Sequence, residues 1–274
     1  KHLTSVIGDI RNKEAIEKVL NQYKPDFIFH LAAQPLVRRS YQEPHLTFET
    51  NIMGTVNLLE AVRKSNFEGV VVNITSDKCY ENVGNICSFT EKDPMGGYDP
   101  YSASKGASEV ITASYRNSFF NPVNFGNSHK VALASARAGN VIGGGDWSED
   151  RLIPDIVRAL CNKEEIIIRN PNAVRPWQHV MECISGYLKL GAMLSENPVE
   201  FAEGWNFGPD NNSTMSVEQI LVESLKLWGN GNYKIIPDKS MKEADFLRLD
   251  ITKAKEQLGW HPVYNVNQAV EKTI

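Results

Sequence analysis

Tyr101 and Lys105 stand four residues apart in the segment Tyr-Ser-Ala-Ser-Lys. On a helix that spacing puts a phenol and an ammonium on one face. A nearby cation favours the phenolate, so the pair can act as a base that takes a hydroxyl proton while hydride leaves the same carbon. Alone the pair is a weak signal, because a Tyr and a Lys one turn apart also make an ordinary surface contact of little energetic weight. A second group, Thr75-Ser76-Asp77-Lys78, directly follows the apolar run Val70-Val71-Val72-Asn73-Ile74. It offers a hydroxyl, a carboxylate and an ammonium beyond the carboxyl end of a buried strand, where open α/β sheets collect ligands. Its bland reading is a solvated loop with an Asx turn at Asp77. The presence of Tyr101 and Lys105 in the same chain favours the site over the loop.

These groups must be held by regular elements. The runs Phe27-Ile28-Phe29-His30-Leu31, 70–74 and 131–136 are continuously apolar or β-branched, which predicts parallel strands covered on both faces. Between them, Pro44 opens a helix on which Ile52, Val56, Leu59 and Val62 recur at helical spacing as far as Lys64. Asp99 and Pro100 form an N-cap and first-turn pair for a second helix, with Ala103, Ala107, Val110 and Ile111 on its apolar face. The alternation predicts an α/β fold with a doubly wound, Rossmann-like parallel sheet. The second half carries shorter apolar segments, Ile166-Ile167-Ile168, Trp205-Asn206-Phe207 and Ile235-Ile236, among helices at 154–160, 182–194 and 216–228. Ser216 with Gln219 reads as a capping box, and Gly259 as the cap of a short helix ending at Leu258. The expected organisation is a dinucleotide-binding domain over 1–140, rejoined by residues 177–210, and a smaller mixed α/β substrate domain built from 141–176 and 211–274. A dinucleotide-binding sheet normally opens with a strand, a glycine-rich turn and a helix. Gly8 is the only glycine before Phe27, so the expectation is an N-terminal truncation that lacks the first βαβ unit.

The net charge of −4 over 274 residues speaks against a nucleic-acid partner, which favours a basic surface. No apolar run approaches the roughly 20 residues that span a bilayer, and the expectation is a cytoplasmic protein with no membrane partner. Cys79, Cys87, Cys161 and Cys183 contain no close pair of the zinc or redox kind, so four reduced thiols and no metal are expected.

Asp9-Ile10, His30-Leu31-Ala32-Ala33-Gln34, Thr50-Asn51-Ile52-Met53-Gly54-Thr55, Ser76, Tyr101 with Lys105, and Arg137-Ala138-Gly139-Asn140-Val141 occur in the order and spacing of the extended short-chain dehydrogenases/reductases. Asp77 beside Ser76 resembles the acidic residue of their nucleotide-sugar 4,6-dehydratase branch. Within that branch, Gln34-Pro35-Leu36-Val37-Arg38, Thr75-Ser76-Asp77-Lys78-Cys79-Tyr80, Gly97-Tyr98-Asp99-Pro100-Tyr101, Gly143-Gly144-Gly145-Asp146-Trp147 and Arg175-Pro176-Trp177-Gln178-His179 are similar to members acting on CDP-glucose.

The resemblance implies NAD as cofactor and CDP-glucose as substrate, oxidised at C4, dehydrated across C5–C6 and reduced at C6. It implies Asp9 and Ile10 at the adenine, with Leu31, Ala32, Ala33 and Gln34 along the phosphates and ribose. Asn51 and Ala138 join the cofactor set, and Thr75 lies near the nicotinamide ribose. Tyr101 would be the base at the C4 hydroxyl, Lys105 would hold the ribose and Tyr101, and Ser76 would bond the same hydroxyl. Asp77 would protonate the departing C6 hydroxyl. Lys78 stands where the dTDP-sugar enzymes carry a glutamate base, and serves at C5 only if burial or a neighbouring cation depresses its pKa. Asn140, Arg151, Leu152, Arg175 and Arg248 would meet the diphosphate or sugar, arginine forks suiting phosphate geometry. Trp147 and Trp177 suit either sugar stacking or a core, and His30 and His179 read as structural. The helices at 44–64 and 101–119 are expected to pair with a second copy, giving a homodimer or homotetramer. The rival readings are a nucleotide-sugar 4-epimerase, which shares Tyr101 and Lys105 but needs no acid at C6, and a non-catalytic nucleotide-sugar-binding protein.

Overall fold

The computed structural model describes residues 3–84, 88–210, 213–237 and 247–274. Its centre is a four-stranded parallel sheet, Phe27–His30, Gly69–Ile74, Val131–Ala138 and Gly204–Phe207, in that spatial order. The register pairs Phe27 with Val70, Val70 with Ala132, and Ser135 with Gly204. Because successive side chains leave a strand on opposite faces, Val71 and Leu133 pack on one side with Leu20, Leu59, Val62 and Phe120. Val70, Val72, Ala132, Ala134 and Ala136 pack on the other with Leu190 and Leu194 of the Val180–Glu196 helix. Helices thus cover both faces, and the α/β doubly wound sheet is as predicted.

The helix predicted over 44–64 is divided. Pro44–Phe48 is α-helical, Glu49–Met53 opens into a π turn, and Gly54–Lys64 returns to α. The wide turn carries Asn51, whose side chain bonds elsewhere, a setting in which such bulges are common. The Pro100–Ser118 helix begins as expected. Asp99 accepts the Ser102 N–H at 2.9 Å and its hydroxyl at 2.6 Å, and proline fills the first turn.

A second core unites Ile142, Ile153, Ile156, Leu160, Ile166, Ile168, Trp177, Ile220, Leu221 and Val270. It joins the helices Leu152–Asn162, Val217–Trp228 and Val266–Thr273 to a parallel pair, Ile166–Ile168 with Tyr233–Ile235. The Ser216–Gln219 capping box and the left-handed Gly259 cap are both present. One stretch packs differently from the predicted grouping. Leu247, Leu249, Ile251, Ala254, Leu258 and Trp260 belong to the core of the large sheet, although the sequence reading places all of 211–274 in the substrate lobe. Apolar spacing marks a face as buried without naming the surface that buries it.

Cys79 and Cys183 are buried free thiols and Cys161 an exposed one; Cys87 lies outside the described residues. Among the described residues, no helix is long and apolar enough to cross a membrane, and no cluster of His, Cys, Asp and Glu could hold a metal ion.

Candidate active site

The chain leaves the second strand at Thr75, whose N–H still donates to Ala136 O at 2.8 Å. Ser76 then caps a single 3₁₀ turn, Asp77–Cys79. Its hydroxyl accepts the Lys78 N–H at 3.2 Å and donates to Asp77 Oδ1 at 3.0 Å. Asp77 is only 2% exposed, and its other oxygen accepts Asn140 Nδ2 at 3.3 Å. Asn140 adopts the left-handed region at φ 53°, a conformation asparagine tolerates better than most residues. Lys78 Nζ lies 4.0 Å from Asp77 Oδ1.

Tyr101 and Lys105 occupy the opening turns of the Pro100–Ser118 helix, both buried. Burial pushes the Tyr101 phenol up to about 12, against hydrogen bonding with Ser76, which favours the phenolate; the Asp77 charge adds to the rise. Burial brings Lys105 down to about 8, opposed by Cys79 and Glu109. Its ammonium donates to Ile74 O at 3.3 Å. The spacing of Tyr101 and Lys105 predicts a lowered phenol, and the structure reverses that expectation, because removing the phenolate from water outweighs the Ser76 hydrogen bond and the Arg151 charge that favour it.

The residues named for the cofactor divide into two groups. Leu31 and Ala32 are exposed beyond the first strand, Ala33 is half-buried, and Ala138 lines the cleft described below. Gln34 and Asn51 are instead spent on bracing. Asn51 accepts the Gln34 N–H at 2.8 Å, and its amide donates to Gln34 O at 3.0 Å and Ser104 Oγ at 2.8 Å. Gln34 in turn donates to Thr47 Oγ1 at 2.8 Å and accepts from the Leu36 N–H at 2.7 Å. The Thr75 hydroxyl is taken by Glu109. Asp9 is paired with Arg11 at 2.6 Å, and hydrogen bonds from Arg11 bring its carboxyl down to about 2. Ile10 packs against Gly54, where a Cβ would lie 2.8 Å from Ile10 Cγ2.

Thr75, Ser76, Asp77, Lys78, Tyr101 and Asn140 form one wall of a cleft of about 740 Å³, and Arg151, Leu152, Arg169 and Arg175 line it from the second lobe. Arg151 pairs with Asp146 at 3.3 Å and Arg169 with Asp150 at 2.7 Å, while Arg38 reaches within 4.0 Å of Asp150. Arg248 is not among the lining residues; its carbonyl accepts the Phe89 N–H at 2.8 Å. Trp177 is a core residue whose indole donates to Met215 O at 3.0 Å, whereas Trp147 is exposed. His30 is buried, brought down to about 4 by burial, and His179 caps the Val180–Glu196 helix.

A family model described as GDP-mannose 4,6 dehydratase matches residues 1–273. The chain belongs to this family. The CDP-glucose 4,6-dehydratase of Salmonella typhimurium (strain LT2) is 49% identical over 273 residues, 99% of this dehydratase-family chain and 76% of its own length. A dTDP-glucose 4,6-dehydratase from Streptomyces venezuelae, solved with NAD and TYD bound, superposes with a TM-score of 0.82 at 23% identity, covering 97% of this chain and 76% of that one. The UDP-glucose 4-epimerase of Thermotoga maritima, solved with UDP-glucose, reaches 0.79 at 23% identity over 97% of this chain and 81% of its own. Dehydratase and epimerase share the fold, so the fold does not choose between them.

Several participants carry no local signature. Arg169 enters the cleft just beyond the end of the Ile166–Ile168 strand, and Arg38 crosses to it from the first lobe. Behind the wall, Glu109 accepts Ser135 Oγ at 2.7 Å and Arg137 Nη2 at 2.8 Å, and Arg137 donates to Tyr80 OH at 2.6 Å. The sequence puts the apolar face of this helix at Ala103, Ala107, Val110 and Ile111, whereas the structure buries Lys105, Ser108, Glu109 and Thr112 and exposes Val110, so only the four-residue spacing from Lys105 could have singled out Glu109.

Proposed function

We propose that this chain dehydrates CDP-glucose to CDP-4-keto-6-deoxyglucose with NAD as cofactor. The observation that carries the reading is Asp77, a buried carboxylate bonded to Ser76 and Asn140 on the cleft wall that also holds Tyr101. A 4-epimerase has no use for that second acid–base group. The 49% identity to a CDP-glucose 4,6-dehydratase supports the choice of nucleotide.

The residues present fit the nicotinamide end of NAD. Exposed Leu31 and Ala32, the Thr75 strand end, Ala138 and the buried Lys105 ammonium meet at the carboxyl ends of three adjacent strands, the usual place for a dinucleotide. When bound, NAD supplies the hydride acceptor at C4 and the donor at C6. Tyr101 takes the C4 hydroxyl proton as the phenolate, a form that the Ser76 hydrogen bond favours and that the positive charge of a bound nicotinamide would favour against burial; Ser76 bonds the same oxygen, and Lys105 steadies Tyr101 and the ribose. A ketone at C4 acidifies the C5 proton; Lys78 is half-buried with the Asp77 carboxylate, not a cation, 4.0 Å away, so it takes the C5 proton only after yielding its own, in the unaltered chain to Asp77. Asp77 then protonates the C6 hydroxyl as it leaves. Asn140, Arg151, Leu152 and Arg175, with Arg38 and Arg169, hold the diphosphate and sugar. Arg248, whose buried Nε has no hydrogen-bond partner among the described residues, stays in that set, and Asp9, Ile10, Gln34 and Asn51 keep a supporting place on the cofactor side.

The same reading places the protein in the cytoplasm as a homodimer or homotetramer. Phe48, Met53 and Val110 are exposed apolar side chains on two helical segments that pack side by side, the surface for a four-helix contact with a second copy. The test is to supply full-length protein with NAD and either CDP-glucose or dTDP-glucose, following the 4-keto-6-deoxy product. Faster product from CDP-glucose is expected. Inversion at C4 with the C6 oxygen kept would replace this reading with the epimerase one.

A further inference from the structure

Glu109 is 3% exposed and lies one turn beyond Lys105 and two beyond Tyr101 on the same helix. Its two oxygens are divided. One accepts the Thr75 hydroxyl, and the other accepts Ser135 Oγ at 2.7 Å and Arg137 Nη2 at 2.8 Å. Arg137 continues to Tyr80 OH at 2.6 Å, and Tyr80 donates to Asn206 Oδ1 at 2.7 Å. A single buried carboxylate therefore ties the helix carrying Tyr101 and Lys105 to the strand end carrying Ser76 and Asp77. An ion pair taken out of water gains little stability over apolar packing, so stability alone does not account for charge at this point. The connection to Thr75, directly before Ser76, does.

We propose that Glu109 is a positioning residue of the dehydration site, holding Thr75 so that Ser76 and Asp77 meet Tyr101 and placing an anion one turn from Lys105. The groups acting on Lys105 are His30 from the first strand, Cys79 from the 3₁₀ turn, and Glu109 on its own helix. Burial holds the Cys79 thiol up and brings His30 down to about 4, so both are neutral near pH 7. Glu109 is the anion among them. The inference rests on the proposed dehydratase activity, since it assigns Glu109 a part in that site.

Two variants of the full-length protein separate reach from charge. Glu109→Asp keeps the anion but is one methylene short of Thr75. Expected is a fall in kcat on the order of 10²-fold from misplacement of the wall, a KM for CDP-glucose near wild type, an unmoved alkaline limb of the pH–rate profile, and faster amide hydrogen exchange at residues 76–79. Glu109→Gln keeps the length and removes the anion. Loss of an anion disfavours the Lys105 ammonium, so the alkaline limb moves to lower pH by roughly a unit or more. If Glu109→Gln does not fold, kcat and exchange in Glu109→Asp decide alone. Wild-type kcat and wild-type exchange at 76–79 in folded Glu109→Asp overturn the proposal, as does an unmoved alkaline limb in folded Glu109→Gln. If the wild-type protein forms no 4-keto-6-deoxy sugar, the functional reading fails, while exchange at 76–79 still reports whether Glu109 holds that turn.

Discussion

Gly139 and Asp77 lie in such close contact that a Cβ on Gly139 would fall 1.9 Å from Asp77 Oδ2. The third strand ends at Ala138, and the bare backbone beyond it forms the surface against which the carboxylate rests. Gly139→Ala is therefore expected to displace Asp77 from Ser76 and Asn140 and slow dehydration on the order of 10²-fold, the usual cost of a misplacement near 1 Å. The change lies in a single buried contact, so KM should move little. Steady-state kinetics with CDP-glucose, beside a thermal melt showing a folded protein, check this.

Tyr101→Phe removes the proposed base and leaves the ring in place. Turnover should fall by roughly 10²–10⁴-fold, the usual contribution of a general base, while substrate affinity measured by calorimetry stays near wild type. Near wild-type turnover in the variant would sink the role given to Tyr101.

His30 titrates at about 4 in the fold, against an ordinary 6.5, because burial disfavours its charged form. Between these values the unfolded chain binds the proton and the folded chain does not. The stability is full above pH 6.5 and is lost as pH falls toward 4, by roughly 3 kcal/mol at its limit. His30→Gln has no proton to bind in that range. Urea unfolding at pH 7 and pH 5 should show a smaller acid loss in the variant than in the wild-type protein, and equal losses would rule the assignment out.

Strands at 27–31, 70–74 and 131–136 are legible in the sequence because a doubly covered parallel sheet makes strands apolar on both faces. The Ser216 and Gly259 caps are legible because their requirements are local. The Glu109–Arg137–Tyr80 chain is not, since its members lie 28 and 57 residues apart and meet only through strand register. The phenol of Tyr101 shows the same limit in electrostatics. Spacing places Lys105 on its face, but only the packed structure reveals that burial prevails. Gln34 and Asn51 carry family motifs legible in the sequence, yet whether an amide faces a ligand or another amide is decided by the π turn at Glu49–Met53, which has no sequence mark of its own.

Met53 is 48% exposed and Val110 58% exposed, on segments that pack together. An apolar surface of this kind on paired helices suits a second copy of the chain. Val110→Lys would bury an unpaired charge in that contact, and the variant is expected to be monomeric by light scattering at micromolar concentration. A wild-type monomer under the same conditions would remove the proposed dimer.

The roles proposed for Asp77 and Lys78 separate dehydration from epimerisation, because the two reactions share oxidation at C4 and part only afterwards. Asp77→Asn keeps the shape of the side chain and can still accept from Ser76, with the Asn140 amide turning its oxygen toward the new Nδ2, but it cannot give the C6 hydroxyl the proton it needs to leave as water. Oxidation should survive, and the sugar should stop as the C4 ketone with its C6 oxygen retained, the 4-keto-6-deoxy product slowing by roughly 10²–10⁴-fold. Lys78→Met keeps the acid and removes the base, so solvent deuterium should no longer enter at C5, whereas in the wild-type protein it does. Mass spectrometry of the quenched sugar distinguishes the two arrests: both retain the oxygen at C6, but only Asp77→Asn still takes up deuterium at C5. If Asp77→Asn dehydrates at the wild-type rate, Asp77 is not the acid. If the unaltered protein inverts C4 and never loses the C6 oxygen, then the carboxylate held between Ser76 and Asn140 serves substrate binding in an epimerase.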